Sequence, residues 1–317
     1  MVTYDLSKAF DRLRHDVLLQ RLLRCNLPLS FIRWIKSYLT EREQFVRIGA
    51  TRSKRVTVTS GVPQGSVLGP YLFSVVLGSF EPLCPKSLFM YADDVTFCFP
   101  LFEGQNNNHV TEEHSHFIKW CNEVDLRVNV NKCKSITFRK RSDCCPVYLP
   151  HVENVKSLKL LGVIFEEKLS WKPHFDHVIL SASRRLYALR GLCGFIGKKQ
   201  MKIVYFAIVR SVLEYSNPLF LNISVKDRNR LDRLQKRFHR LICGSCCNSD
   251  CLQPLGERRT FQAMKLFKAA LSPSHILHVL LPPQSRRSRR FLLNFTSTER
   301  GRKSFINLCA SMYNASL

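Results

Sequence analysis

No stretch of this chain approaches the ~20 consecutive apolar residues that cross a bilayer as a helix. The start, Met1-Val2-Thr3-Tyr4-Asp5, has neither the basic opening nor the long apolar core of a secretion signal. The sequence is therefore expected to be neither transmembrane nor secreted. A disulfide framework is lacking too. The thirteen cysteines are odd in number and scattered, which points to reduced intracellular thiols. No internal repeat is visible. Acidic residues are scarce: 24 Asp and Glu stand against 49 Lys and Arg, a net charge of +25. A surplus that large repels itself unless an anionic partner screens it. Nucleic acid is favoured over a membrane surface, because no basic amphipathic anchor stands apart from the fold.

What the chain has is enough apolar residue, 45% of 317, for a sizeable core and two domains. Tyr4-Asp5-Leu6 reads as the end of a strand. Residues 17–25 and 30–39 carry helical spacing, with Pro28 as a start signal. Phe45 to Ile48 and Arg55 to Val58 read as a strand pair around Gly49. The Gly-rich loop Ser60-Gly61-Val62-Pro63-Gln64-Gly65-Ser66 leads to an apolar helix over 72–80. A polar loop, Gly104 to Asn108, precedes a helix over 110–124. Short strands are expected near 126–130, 135–138 and within 147–165. Beyond Trp171 the pattern is helical, at 178–195, 199–215, 227–242 and 259–271. The fold class is therefore α+β with an antiparallel sheet, followed by a mainly helical region. A basic tail closes the chain, including Arg286-Arg287-Ser288-Arg289-Arg290.

The stretch richest in chemistry is Tyr91-Ala92-Asp93-Asp94. It lies between the apolar runs Ser87 to Met90 and Val95 to Phe99, so the two acids fall on a hairpin turn. An isolated Asp-Asp there is more often a plain polar turn than a metal site. Asp5, at the end of its own strand, is a third acid that a shared sheet would bring alongside. Three converging carboxylates repel unless cations neutralise them. Two divalent ions ~4 Å apart suit nucleotidyl transfer, and an all-oxygen donor set suits Mg²⁺, or Mn²⁺ in its place.

Taken together, Tyr4 to Asp11, Ser60 to Ser66 and Tyr91 to Asp94 resemble motifs A, B and C of reverse transcriptases. Their order and spacing are closest to the non-LTR (LINE-type) retrotransposon group. Val128 to Lys134 resembles motif D, and Leu160-Leu161-Gly162-Val163 resembles motif E, the primer grip. The resemblance implies an RNA-directed DNA polymerase with a palm over 1–168, a thumb-like helical region over 169–272 and a basic tail over 273–317. It implies an RNA template, a DNA primer and dNTPs as partners. It also implies a nuclear workplace with the cytoplasm as a second compartment, while the oligomeric state is left open.

By the same resemblance Asp5 and Asp93 are the principal metal ligands, with Asp94 beside them and the Leu6 carbonyl facing the metal. Asp11 takes a structural or capping role. Phe10 is either core or the ring under the incoming sugar that excludes a 2′-hydroxyl. Gly61, Pro63, Gln64 and Gly65 border the nucleotide and template base. Lys132 either approaches the pyrophosphate or is a solvated lysine. Leu160, Leu161 and Gly162 form the primer grip. Arg184, Arg185, Arg190, Lys198, Lys199 and Lys202 line a duplex channel or are surface charges. Cys243 to Cys251, with His275 and His278, fits no standard zinc spacing, and zinc is not expected.

The chain opens about four residues before the first catalytic Asp. The expectation is therefore an N-terminally truncated enzyme without fingers. The alternative reading is a catalytically inactive retroelement fragment that binds nucleic acid at most.

Overall fold

In the computed structural model the described residues are 1–102, 107–138, 146–243, 252–285, 287–293, 296 and 298–316. The chain divides into two compact units. The first is residues 1–158 with 166–169, and the second is 159–165 with 170–317.

The first unit is built on β1 (Val2–Ser7), in which Val2, Tyr4 and Leu6 are buried and Thr3, Asp5 and Ser7 are half-buried. That alternation sets Asp5 on the face away from the core. Three helices follow: α1 (Ala9–Arg12), α2 (His15–Arg24) and α3 (Leu29–Leu39). Leu18 and Leu22 of α2, and Ile32, Ile35 and Leu39 of α3, form the inward stripes. Each such fully buried side chain stabilises by roughly 2 kcal/mol.

Four short strands come next: β2 (Arg42–Gln44), β3 (Arg47–Ile48), β4 (Thr51–Arg52) and β5 (Val56–Val58). They depart from the expected pairing. Val56 to Val58 pairs with Arg42 to Gln44, while Arg47 and Ile48 turn back on Thr51 and Arg52. The ribbon is exposed along nearly its whole length, so no burial pattern in the sequence selects a register.

α4 (Gly69–Leu77) starts three residues before the expected helix and buries Leu72, Phe73, Val76 and Leu77. The hairpin of β6 (Leu88–Tyr91) and β7 (Asp94–Phe97) follows, then α5 (Asn108–Glu123). The expected loop over 104–106 lies outside the described residues. β8 (Arg127–Val128), a 3-10 turn over 130–132, β9 (Lys134–Ser135) and β10 (Glu153–Asn154) complete the unit. The sheet order is β10-β9-β1-β7-β6, with β8 also on β1. All its pairings are antiparallel except β10 on β9, which is parallel.

α5 covers the core face of this sheet with an aromatic cluster. The ring of Tyr4 lies 4.8 Å from that of Phe117 and 5.8 Å from that of Phe97. Glu113 and His114 of α5 are buried with them, and both are hydrogen-bonded. Glu113 accepts from the backbone N–H of Leu83 and Cys84 at 3.1 and 2.8 Å. His114 shares a 2.7 Å hydrogen bond with the Tyr4 hydroxyl, and burial, then His151, hold it below the usual histidine range.

β11 (Ser157–Leu160) and β12 (Val163–Glu166) form a hairpin whose residues fall in both units. The rest of the second unit is mainly helical. α6 (Lys172–Arg190) is followed by α7 (Lys198–Tyr205), which runs through a π turn over 206–210 into α8 (Ser211–Leu213). α9 (Val225–Cys243) and α10 (Leu255–Ala270) come next. Their core includes Phe175, Leu186, Tyr205, Phe220, Leu231 and Phe238.

A partly buried ion cluster ties the residues flanking α8 to α10. Glu214 accepts from Arg210 at 2.6 Å, from Arg258 at 2.5 and 2.8 Å, and from Gln262 at 3.1 Å. The stretch read as a basic tail holds α11 (Glu299–Arg302) and α12 (Phe305–Ala315). Cys309 and Ala310 of α12 pack with Ala263 and Phe267 of α10 and with Phe291. No helix among the described residues is long and apolar enough to cross a membrane.

Candidate active site

β1 and β7 run antiparallel with Asp5 directly opposite Asp94. Directly opposed residues share a face, with Cβ atoms about 5 Å apart. Asp93 sits in the two-residue connection between Tyr91 and Asp94, which pair with each other. The residue before it, Ala92, has φ +52°, a left-handed conformation costing an alanine roughly 1 kcal/mol. The three acids of motifs A and C are thus gathered at one end of β1 and β7. Burial, then Asp93, then Asp5 push the Asp94 carboxyl above the usual carboxylate range.

An all-oxygen donor set at a sheet edge fits a hard divalent cation. As placed, the side chains do not close on one point: among the described residues no group of three His, Cys, Asp or Glu is arranged to hold a metal ion. Asp5 instead faces Lys132, whose Nζ lies 3.4 Å from its Oδ2. The backbone explains this placement. Asn129 N–H donates to the Asp5 carbonyl at 2.7 Å, and Lys132 N–H donates to the Asn129 carbonyl at 2.9 Å. Motif D is thereby wrapped onto the end of β1. The sequence pointed Lys132 at pyrophosphate or at solvent, and its approach to Asp5 was not foreseen. Leu6 is buried and its Cα pairs with that of Val128.

Past β1 the chain turns at Lys8, φ +49°, and α1 delivers Phe10 and Asp11. The Phe10 ring is half-buried and lies 4.6 Å from the Phe73 ring of α4. The Gly61 loop is stitched to α1 at several points. Gly61 N–H donates to the Leu13 carbonyl at 2.7 Å, and Val62 N–H to the Phe10 carbonyl at 2.8 Å. Ser60 Oγ donates to the Asp11 carbonyl at 3.0 Å, and Gln64 Nε2 to Asp11 Oδ1 at 2.8 Å. Gly61 has φ +84°, and a Cβ there would meet the Asp11 carbonyl oxygen at 2.7 Å. Only glycine fits that approach. Pro63 accepts from Ser66 Oγ at 2.7 Å, and Gly65 sits at φ +81° with open space where its Cβ would be. His15, which sequence reasoning passed over, bonds the Gly61 carbonyl through Nε2 at 2.8 Å. No motif flagged it, since the contact bridges 46 residues.

The β11–β12 hairpin turns at Leu161, φ +45°, and Gly162, φ +83°. Positive φ at both central residues is the type I′ pattern. Tyr215 donates its hydroxyl to the Leu161 carbonyl at 2.6 Å, and a Cβ on Gly162 would press on the Tyr215 ring at 3.1 Å. Leu160 closes β11 just before this turn.

Among the basic residues of the second unit, Arg184, Arg190, Lys198 and Lys199 are exposed. Arg185 donates to the Ile208 carbonyl at 2.8 Å, and Lys202 lies 5.8 Å from the Phe206 ring centre. His275 and His278 make local backbone hydrogen bonds. Residues 244–251 of the cysteine cluster, and Arg286 of the basic run, lie outside the described residues.

Residues 1–165 match the family described as reverse transcriptase (RNA-dependent DNA polymerase). That match spans more than half of the chain and includes Asp5, Asp93 and Asp94, and the chain belongs to this family. Among its relatives, the RNA-directed DNA polymerase from mobile element jockey of Drosophila melanogaster is 26% identical over 259 residues. The probable RNA-directed DNA polymerase from transposon BS of the same species is 28% identical over 264. Each alignment covers 76% of this chain, which spans only 28% of the length of either relative. Telomerase from Candida albicans, solved with a TWJ fragment of telomeric RNA, aligns at a TM-score of 0.34 and 13% identity. That alignment covers 88% of this chain and 50% of the telomerase, and a superposition so loose does not define a shared fold.

Proposed function

We propose that this chain carries the catalytic palm of a non-LTR retrotransposon reverse transcriptase, with the helices over 169–272 as its thumb-like region. The reaction is addition of dNTPs to a DNA primer 3′-hydroxyl on an RNA template. One observation carries this reading: Asp5 and Asp94 are cross-strand partners, and Asp93 occupies the turn beside them. In a polymerase palm that edge is where the primer terminus and the triphosphate meet.

Asp5 and Asp93, with Asp94 and the Leu6 carbonyl, are the groups that would hold two Mg²⁺ ions, or Mn²⁺. When bound, these ions lower the pKa of the primer hydroxyl and stabilise the leaving pyrophosphate. Lys132, already 3.4 Å from Asp5, holds the negative edge together before substrate arrives. It then presents a proton or counter-charge to the pyrophosphate. Gln64 and the Gly61–Gly65 backbone flank the base pair being formed, and Phe10 stands under the sugar. Leu160, Leu161 and Gly162 hold the primer strand. Copying at a chromosomal nick would set this work in the nucleus.

Binding without synthesis is the second reading. It is favoured by the Lys132 contact and by side chains that do not converge as placed. Primer extension on an RNA template with Mg²⁺ and dNTPs separates the two. The expected result is extension that falls at least ~100-fold in the Asp93→Asn, Asp94→Asn double variant. Equal signal from the two proteins, or none from either alongside salt-dependent hybrid binding, refutes the catalytic reading.

A further inference from the structure

The outer face of α3 and the ribbon after it present aromatic rings to solvent, interleaved with guanidinium groups. The inward face of α3 is spent on Ile32, Ile35 and Leu39. Phe31 and Trp34 line the other side with ring centroids 5.7 Å apart, and Trp34 stacks at 6.2 Å on Tyr38, which is half-buried against the core. Arg42 of β2 lies 5.2 Å from the Tyr38 ring centre. Three residues further along the chain, Phe45 carries Arg52 of β4 at 5.4 Å. Trp34 is 52% exposed and Phe45 42%, which is far from the burial that core aromatics of this size reach.

Charge points the same way. Residues 29–58 hold seven Lys and Arg against two Asp and Glu, about twice the chain's average density of surplus charge. One of those acids, Glu43, is taken up by Arg55 at 3.2 Å. A protein-docking face keeps charge out of its core and is depleted in lysine, although arginine is enriched there. Here the surroundings of Trp34 include Arg33, Lys36 and Arg42.

We propose that α3 and the β2–β5 ribbon form a stacking platform for single-stranded RNA, sharing no residue with the carboxylate edge. Unpaired bases stack on Trp34, Phe31 and Phe45, and Arg33, Arg42, Arg47 and Arg52 meet the phosphates. The choice of RNA rests on the reading of the chain as RNA-directed.

The test is fluorescence anisotropy of a labelled 20-nucleotide oligo(U) RNA with the full chain, without dNTPs or divalent ions. Trp34→Ala is expected to weaken binding roughly tenfold, the loss typical of one stacked base. Trp34→Leu, which keeps an apolar side chain without a π face, should match it, and Trp34→Phe should stay close to wild type. Arg42→Gln should lower the salt slope by about 0.7, and oligo(dT) should bind more weakly than oligo(U). The variants' far-UV circular dichroism establishes that they fold, and Phe45→Ala is a second probe on the ribbon.

Unchanged affinity in Trp34→Ala and Phe45→Ala overturns the platform while leaving the polymerase reading intact. Equal affinity for oligo(dT) overturns the RNA assignment. Loss of self-association in Trp34→Ala without loss of RNA binding gives the face to a second copy of the chain instead. A wild-type chain that binds no nucleic acid overturns both this platform and the RNA-directed reading.

Discussion

Replacing Gly61 by alanine tests whether close backbone approach holds the Gly61 loop to α1, the helix that follows the strand carrying Asp5. At φ +84° an alanine loses roughly 1–2 kcal/mol to left-handed strain alone. Its Cβ would also stand 2.7 Å from the Asp11 carbonyl oxygen and 2.8 Å from the Asp11 Cα and carbonyl carbon. Those are backbone atoms with no rotamer to escape into, so loop and α1 must separate. Separation strains the Gly61 bond to Leu13, the Val62 bond to Phe10 and the Ser60 and Gln64 bonds to Asp11. At about 1 kcal/mol each, losing even two brings the total to roughly 3–4 kcal/mol.

Gly65→Ala is the matched control. It shares a left-handed φ of +81° but has open space around its Cβ, so it should cost only the strain, about 1–2 kcal/mol. Urea denaturation together with hydrogen exchange of the β1 amides measures both variants. Equal losses at the two glycines would refute the argument that close approach, rather than dihedral strain, requires glycine at 61.

Two further outcomes are expected. Glu214→Ala leaves the buried Arg210 and the partly buried Arg258 without their carboxylate, and should destabilise by about 2 kcal/mol in thermal melts. Burial alone would raise the Glu214 carboxyl, but the hydrogen bonds and charges of Arg258 and Arg210 outweigh it and hold the group below its ordinary range. The unfolded chain therefore binds its proton first as pH falls, and stability drops through and below the ordinary glutamate range. That slope should flatten in Glu214→Gln. Phe10→Val should lose about 1–2 kcal/mol of packing against Phe73. In extension assays it should also raise incorporation of rNTPs relative to dNTPs, and an unchanged ratio would return Phe10 to the core.

The Asp93-Asp94 hairpin was legible because two largely apolar runs, Leu88 to Met90 and Val95 to Phe97, are broken by two acids, although only β7 of the two strands is buried. The pairing of Asp5 with Asp94 was expected only as proximity, since nothing local sets the register between strands so far apart in sequence. The 42–58 ribbon was misread because Val46, Ile48 and Val56 look like core residues in sequence yet are exposed. Periodicity cannot tell an apolar residue facing the core from one facing a partner. The stretch beyond 273 read as a tail because its arginines dominate the composition. The small face of Cys309 and Ala310 that seats α12 on α10 gives no comparable signal.

The central place of β1 has a consequence for biosynthesis. This strand leaves the ribosome well before its partners: β7 emerges about ninety residues on, and Lys134, which meets Thr3, 131 residues on. At ~5–20 residues per second, Val2, Tyr4 and Leu6 wait roughly 5 to 20 s for β7. The helices α1 to α4 are made in that interval, and their buried residues share one core with the apolar face of β1. A nascent chain with α2 or α4 weakened should therefore be captured by chaperones or aggregate, even where the finished protein would tolerate the change.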